Sequence, residues 1–453
     1  MKIYNTLTRQ KQEFVPINKG EVKMYSCGPT VYDYFHIGNA RPFIVFDTMR
    51  RYLEYQGYKV TFVQNFTDID DKMIKRANEE GITVKELGER FIAEYFKDAQ
   101  AIGIHKATIH PKATENIDAI INVVKKLVDN GYAYDVDGNV YFSTKKFNEY
   151  GKLSKQPLED LEAGARIDVN EHKKDVMDFA LWKKQKEGEP AWESPWGMGR
   201  PGWHIECSAM VNKYLGETID IHSGGQDLIF PHHENEIAQS EAFLGHKWCP
   251  YWFHVLHLND ARGKMSKSKG GFLTVSLLEE KGYNPLVYRM FCLQSHYRKP
   301  LTFSYDNLDN TATAYNKLVK RISALSRDGE PDMAKAEELT KGFCEALDND
   351  LNTSLALTCV YDVLKADADD ATKLYVIGEF DKVLSLDLTK VPESNKADAD
   401  DDFAKEVEEL IAQRTKARAE KDWATADAIR DKLKEMKVVV KDTKDGIEWH
   451  VEG

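Results

Sequence analysis

VKMYSCGPTVYDYFHIGNARPFIVFDTMRRYLEYQGYKVTFVQN, residues 22–65, is the stretch whose periodicity decides the fold. Val22–Gly28 reads as a strand that ends in a turn, and Tyr58–Asn65 as a second, buried strand. Between them Ile44, Phe46, Met49, Tyr52 and Leu53 recur at helical spacing, so Asn39–Tyr55 is predicted to be a helix. A strand, a helix and a second apolar strand make a βαβ unit, and hence a parallel sheet with a right-handed crossover. Strand-like patterns return at Thr218–His222 and Tyr251–Leu256, so an insertion splits the sheet.

Working outward, the expected fold is α/β. A Rossmann-like parallel-sheet domain (1–110 and 202–256) is interrupted by a connective insertion (111–201) and continues into a loop region (257–306). The insertion is rich in Lys, Glu and turn residues, and closes on the Pro- and Gly-dense run EGEPAWESPWGMGRPGW. Residues 307–390 read as a helical bundle and the acidic VPESNKADADDD (391–402) as a linker. The last stretch, 403–453, reads as a small C-terminal domain of a helical pair, Phe403–Met436, and a strand-like tail.

A chain of 453 residues suits roughly three or four domains. The 62 Lys+Arg against 74 Asp+Glu leave a net charge of −12, which argues against a non-specific nucleic-acid coat but not against local basic patches. No signal peptide and no membrane span are expected. Cys27, Cys207, Cys249, Cys292, Cys344 and Cys359 are scattered without close pairing. That usage fits the reducing cytoplasm, where a special cysteine is a ligand or a nucleophile.

Two strings suit phosphate. In His36-Ile37-Gly38-Asn39 a strand hands over to a helix, whose N-terminus offers free N–H groups and partial positive charge. Gly38 allows close approach to the backbone. Lys264-Met265-Ser266-Lys267-Ser268, followed by Gly270 and Gly271, places two lysines and two hydroxyls in a mobile loop suited to pyrophosphate. Alone, the first could be a helix start with a packed histidine and the second a solvated basic loop. Together, in this order, they resemble the two signatures of class I aminoacyl-tRNA synthetases. The resemblance implies amino-acid adenylation with release of pyrophosphate, then transfer to the terminal adenosine of a tRNA. Asn39 stands where that signature usually has His, and KGG follows KMSKS where relatives carry Leu-Gly-Asn.

A third constellation points to a metal. Pro231 is placed to open a helix on which His232 and Glu236, at i and i+4, share one face, with His233 about 100° away. Cys27 ends the first strand, and Cys207 is read as beginning the second half of the sheet. Residues at the carboxyl ends of parallel strands meet above the ligand crevice, which makes Cys27, Cys207, His232 and Glu236 a candidate zinc set. His204, His233 and Glu206 compete as ligands.

CGPTVYDYFHIGNARPF, NFTDIDDK, GRPGWHIECSAM, HSGGQDLIFPHHENEIAQSE and KMSKS are together similar, in order and across nearly the whole chain, to the cysteinyl-tRNA synthetases. That resemblance implies one zinc per chain on Cys27, Cys207, His232 and Glu236, receiving the thiolate of L-cysteine. It implies a cysteine pocket of Gly28, Thr30, Thr67 and Trp203. ATP, with Mg²⁺, would lie on His36, Gly38, Asn39, Gly224, Gly225, Asp227 and Lys267, with His36, Asn39, Lys264 and Lys267 catalytic. Zinc prefers soft thiolate to hydroxyl, so serine can be refused without editing, whereas an apolar pocket separates such near-isosteres poorly.

In RTKARAEKDWATADAIRDKL (414–433) Arg414, Arg418, Lys421 and Arg430 surround Trp423, and cations with one aromatic suit an unstacked RNA base. A charge-laced surface helix is the competing reading. The resemblance assigns Arg418, Trp423 and Asp427 to the anticodon of tRNA(Cys), and a cytoplasmic monomer is expected. Two rivals remain: a ligase joining activated cysteine to a small amine, and a non-catalytic zinc-dependent tRNA-binding module. The ~150 residues of helical C-terminal sequence weigh against the first, and the intact His36, Lys264 and Lys267 against the second.

Overall fold

A computed structural model describes residues 1–155, 173–260, 263–264, 273–390, 401–419, 422–436, 438–443 and 446–451. They form two units, Met1–Thr389 and Lys390–Gly453.

A short antiparallel pair, β1 (Lys2–Asn5) and β2 (Gln10–Glu13), precedes β3 (Glu21–Ser26), α1 (Ile37–Tyr55) and β4 (Lys59–Gln64). β3 and β4 pair in parallel, as the βαβ reading requires. α2 (Asp71–Glu80) and α3 (Val84–Ala101) follow, the latter opened by a capping box between Thr83 and Glu86.

The stretch read as an insertion shares its core with Ile205, Ala209, Ala238 and Ala242 from farther along the chain. α4 (Ile117–Asp129) lies with β5 (Ala133–Val136), β6 (Asn139–Phe142), β7 (Phe179–Lys184) and β8 (Gly199–Pro201), which make an antiparallel sheet in that order. Ile120, Val124, Phe142, Leu181 and Trp182 close it.

α5 (Trp203–Leu215) then leads to β9 (Ile221–Gly225), α6 (Glu234–Leu244) and β10 (Tyr251–Val255). The central sheet runs β10-β9-β3-β4, all parallel. From β3 the chain goes to β4 on one side, and it later adds β9 on the other. The strand order therefore reverses between β3 and β9, and a crevice opens outside their carboxyl ends.

β11 (Leu258–Asp260), β12 (Gly263–Lys264), α7 (Val275–Glu280), α8 (Pro285–Leu293) and β13 (Leu301–Thr302) follow. Helices α9 (Tyr305–Ser323), α10 (Met333–Asp348), α11 (Thr353–Lys365) and α12 (Asp370–Leu384) complete the unit, and their core is continuous with that beneath the sheet. Buried charge joins these layers. Arg289 of α8 and Arg51 of α1 each lie 2.7 Å from the Asp47 carboxylate, and Arg289 also donates to the Leu384 carbonyl of α12. Burial opposes the Asp47 charge, but the two guanidiniums hold its carboxyl below the usual range.

The second unit contains α13 (Asp401–Ala419), α14 (Trp423–Glu435) and a hairpin of β14 (Val438–Thr443) with β15 (Gly446–Val451). Val407, Leu410, Ile429, Leu433 and Val438 make its small core. α13 already begins at Asp401, inside the stretch read as linker, and residues 391–400 lie outside the described residues. Among the described residues no helix is long and apolar enough to cross a membrane.

Candidate active site

The crevice at the strand reversal is a cleft of about 180 Å³ lined by Cys27, Gly28, Thr30, Gly38, Asn39 and Asp227, among others. α1 points its N-terminus there, with no acidic residue in its first turn to compete with an anion. His36 is the N-cap: its Nδ1 accepts from the Gly38 N–H at 2.9 Å, and at 3% exposed it sits behind the cleft wall. Pro42 has no N–H to offer the Gly38 carbonyl, and it too lines the cleft. Arg41, fully buried, donates to the carbonyls of Leu256, His257 and Lys299, fixing the wall beyond β10. Nothing in the sequence singled out Arg41; a charged residue on the apolar face of a predicted helix was the available signal.

Gly224 and Gly225 end β9, and Asp227 stands just beyond, half exposed, with His257 Nδ1 3.9 Å from its carboxylate. A Cβ on Gly224 would meet His233 Cε1 at 2.5 Å, so glycine is needed for that ring to lie against the strand. Lys264 is in β12, while Met265–Gly271, with Lys267, lies outside the described residues.

Four buried side chains meet behind the cleft, whose floor one of them, Cys27, lines. The Cys27, Cys207, His232 and Glu236 ligand atoms all lie within 4.8 Å of one another. Cys27 Sγ is 3.8 Å from Cys207 Sγ and 3.2 Å from Glu236 Oε1, and His232 Nε2 is 3.0 Å from the same oxygen. One element differs from expectation. Cys207 comes from α5, a helix running beneath the sheet, and not from a strand end. Within Ile229–His233 only Phe230 leaves helical geometry (φ −137, ψ 134), so Pro231 follows a kink and opens the turn that runs on into α6, as its position predicts. His233, one residue on, is buried as well, with Nε2 3.3 Å from Cys27 Sγ. Cys27, His222, His233 and Glu236 therefore form a second possible set that shares two members with the first. Of the competing ligands, His204 binds His232 Nδ1 from behind, and Glu206 turns to Thr67. His222 and His254 had no spacing signal; they sit in β9 and β10, and His254 holds His233 Nδ1 at 2.8 Å.

This cluster gathers negative charge. Burial disfavours a Cys207 thiolate, yet the hydrogen bond from Cys27 and the His232 ring bring its pKa down to about 6. Burial likewise opposes charge on His232, but Glu236 and Cys207 push it up to about 10. Glu236 is held well below the carboxylate range by His222 and His232 despite its burial. Burial and Cys207 push Cys27 upward. A thiolate and a carboxylate closed away from water invite a cation.

Around this cluster, Thr30 and Thr67 pair as an extension of β3 and β4, and Gly28 N–H donates to Asn65 Oδ1. A Cβ on Gly28 would lie 1.7 Å from the Asn65 carbonyl oxygen, so only glycine fits. Trp203, 42% exposed at the start of α5, lays its ring 4.4 Å from that of His232. In the other unit Arg418 and Asp427 are exposed, Arg430 pairs with Asp427 and Asp431 at 2.9 Å, and Trp423 opens α14.

The family model for the tRNA synthetases class I (C) catalytic domain matches residues 13–313, and that for the cysteinyl-tRNA ligase anticodon binding domain matches residues 400–449. Among solved structures, the chain is similar to methionyl-tRNA synthetase of Mycobacterium tuberculosis bound by methionyl-adenylate. The identity is 15% and the TM-score 0.57, over 83% of this chain and 92% of that one. It is also similar to the agnB2 LeuRS of Agrobacterium radiobacter K84 in its ternary complex, at 9% identity and TM-score 0.57, over 84% and 86%. At such identities these likenesses establish the fold, a class I parallel-sheet architecture. The two family matches go further, one over the sheet and its cleft and one over the terminal helices, and by them the chain belongs to the cysteinyl-tRNA synthetases, which activate cysteine with ATP and ligate it to tRNA(Cys).

Proposed function

We propose that cysteine is selected by a zinc ion held on Cys27, Cys207, His232 and Glu236, behind the cleft where adenylation takes place. The convergence of those four buried ligand atoms carries the reading. Two sulfurs, one imidazole and one carboxylate fit zinc, whereas the set with His222 and His233 offers a single sulfur. Bound there, zinc supplies a Lewis acid that prefers the thiolate of cysteine to the hydroxyl of serine.

The chain's own residues do the rest. Gly28, Thr30, Thr67 and Trp203 surround the amino acid. The start of α1, with Gly38 and the Asn39 side chain at the cleft, presents its positive dipole end to phosphate, while His36 caps that helix by accepting the Gly38 N–H. Gly224 and Gly225 let adenosine approach the β9 backbone, and the half-exposed Asp227 suits the ribose hydroxyls. Lys264 and Lys267 offset the charge that develops on pyrophosphate, with Mg²⁺ accompanying ATP. Tasks divide along the chain: residues 1–110 and 202–256 activate cysteine, 111–201 form the connective insertion, and 257–306 carry the KMSKS loop and stem contacts. The 307–390 bundle and the 391–402 linker lead to 403–453, where Arg418, Trp423 and Asp427 meet the anticodon. We read the enzyme as a cytoplasmic monomer, its six cysteines all free thiols.

Cobalt-substituted protein tests the selection step. Its visible absorption should change on adding cysteine and not on adding serine; identical responses to both would place selection elsewhere.

A further inference from the structure

Two buried side chains linked to the pocket residues Gly28 and Thr67, those of Asn65 and Glu206, have no role yet. Asn65 follows β4 and is 1% exposed; its Oδ1 accepts the Gly28 N–H at 3.0 Å and faces Cys207 Sγ at 3.9 Å. Asn65 Nδ2 donates to Thr67 Oγ1 at 3.5 Å, and Thr67 Oγ1 donates to Glu206 Oε2 at 2.8 Å. Glu206 lies in α5, 1% exposed, and its Oε1 has no partner. A buried carboxyl oxygen without a partner is costly, so a group kept there has work to do.

We propose that Asn65 and Glu206 are positioning residues that set which way the Thr67 hydroxyl faces and so help to recognise the α-ammonium group of the amino acid. A hydroxyl has one proton and two lone pairs. Glu206 takes the proton of Thr67 and Asn65 occupies one lone pair, which leaves one lone pair as what Thr67 can offer a substrate. An ammonium donates and cannot accept, so it matches that lone pair; a carboxylate does not. Asn65 also takes the Gly28 N–H, removing a donor that would otherwise draw a carboxylate to the same spot. Its backbone carbonyl closes tightly over Gly28, so the amide and the strand end move as one piece. The inference rests on the cleft being the cysteine pocket.

Pyrophosphate exchange with the full-length, metal-loaded protein tests it, the wild type first establishing that cysteine is the substrate. Glu206→Leu should raise KM for cysteine by about 10–100-fold, the scale for a buried polar group that loses its hydrogen-bond partner. KM for ATP and metal per chain should stay unchanged. Glu206→Gln, whose amide oxygen can still accept from Thr67, should restore most of the affinity. Thr67→Val with Glu206→Leu should be no worse than Thr67→Val alone, because the residues act through one hydroxyl. An unchanged cysteine KM in Glu206→Leu, or losses that multiply in the double variant, overturns the proposal. So does a parallel rise in KM for ATP, which would mean general damage to the fold. If Glu206→Leu does not fold, Asn65→Ser carries the test: it should show the same selective rise, and a wild-type cysteine KM in that variant refutes the idea.

Discussion

In the Met1–Thr389 unit the charged groups that distinguish the site are buried and face one another, whereas in the Lys390–Gly453 unit they lie exposed along helices. Cys27, Cys207, His232 and Glu236 are at most 7% exposed and shift one another's ionisation. Arg430, Asp427 and Asp431 are more than half exposed, and such pairs contribute little in water. The difference suits the two partners. A small amino acid must be polarised and sorted by one atom, which takes fixed groups away from solvent. A tRNA is met over a broad surface, where solvated cations and an aromatic ring can act at little cost to a small fold.

Breaking the buried side should have the largest effect. Cys207→Ser is expected to lose bound metal, by elemental analysis, and to lower cysteine-dependent pyrophosphate exchange by about 10³-fold or more, since several kcal/mol of Lewis-acid stabilisation go with the ion. A metal-free variant that exchanges normally would dissolve the contrast. Next comes the KMSKS stretch. Lys267→Ala should lower kcat for adenylate formation by about 10²–10³, the scale for a lost charge-stabilising donor. A rise in KM for ATP at constant kcat would make the contact uniform binding instead.

The exposed side should give the smallest effect and leave chemistry untouched. A chain ending near Val391 should still form cysteinyl-adenylate but charge tRNA poorly, and Trp423→Ala should weaken charging by about 1–3 kcal/mol if one base stacks there. Equal losses in exchange and charging would mean that the terminal unit only supports the fold. Undiminished charging by the truncated chain would place tRNA selection elsewhere.

The βαβ unit was legible because apolar period alone determines it: the expected strands and helix fall within a few residues of β3, α1 and β4. That Cys27, Cys207, His232 and Glu236 converge was legible from residue type, but the elements that carry them were not. Cys207 was assigned to the sheet since a nine-residue string around it does not reveal which side of a strand its helix will take. The helical turn from Pro231 is legible from spacing, but the inward position of His233 beside His232 is not. His222, His254, Asn65 and Arg41 act through partners far away in sequence, His254 reaching Thr6 and Arg41 reaching Leu256 and Lys299. No local pattern encodes such contacts; they exist only once the strands are side by side.

Whether buried metal chemistry chooses the amino acid is tested most directly by pyrophosphate exchange with each amino acid in turn, on native, metal-stripped and zinc-reloaded protein. Cysteine alone should support exchange in the native protein, stripping should abolish it, and zinc should restore it, with serine inactive throughout. Exchange with serine at a comparable rate, or undiminished exchange with cysteine after stripping, would contradict the account.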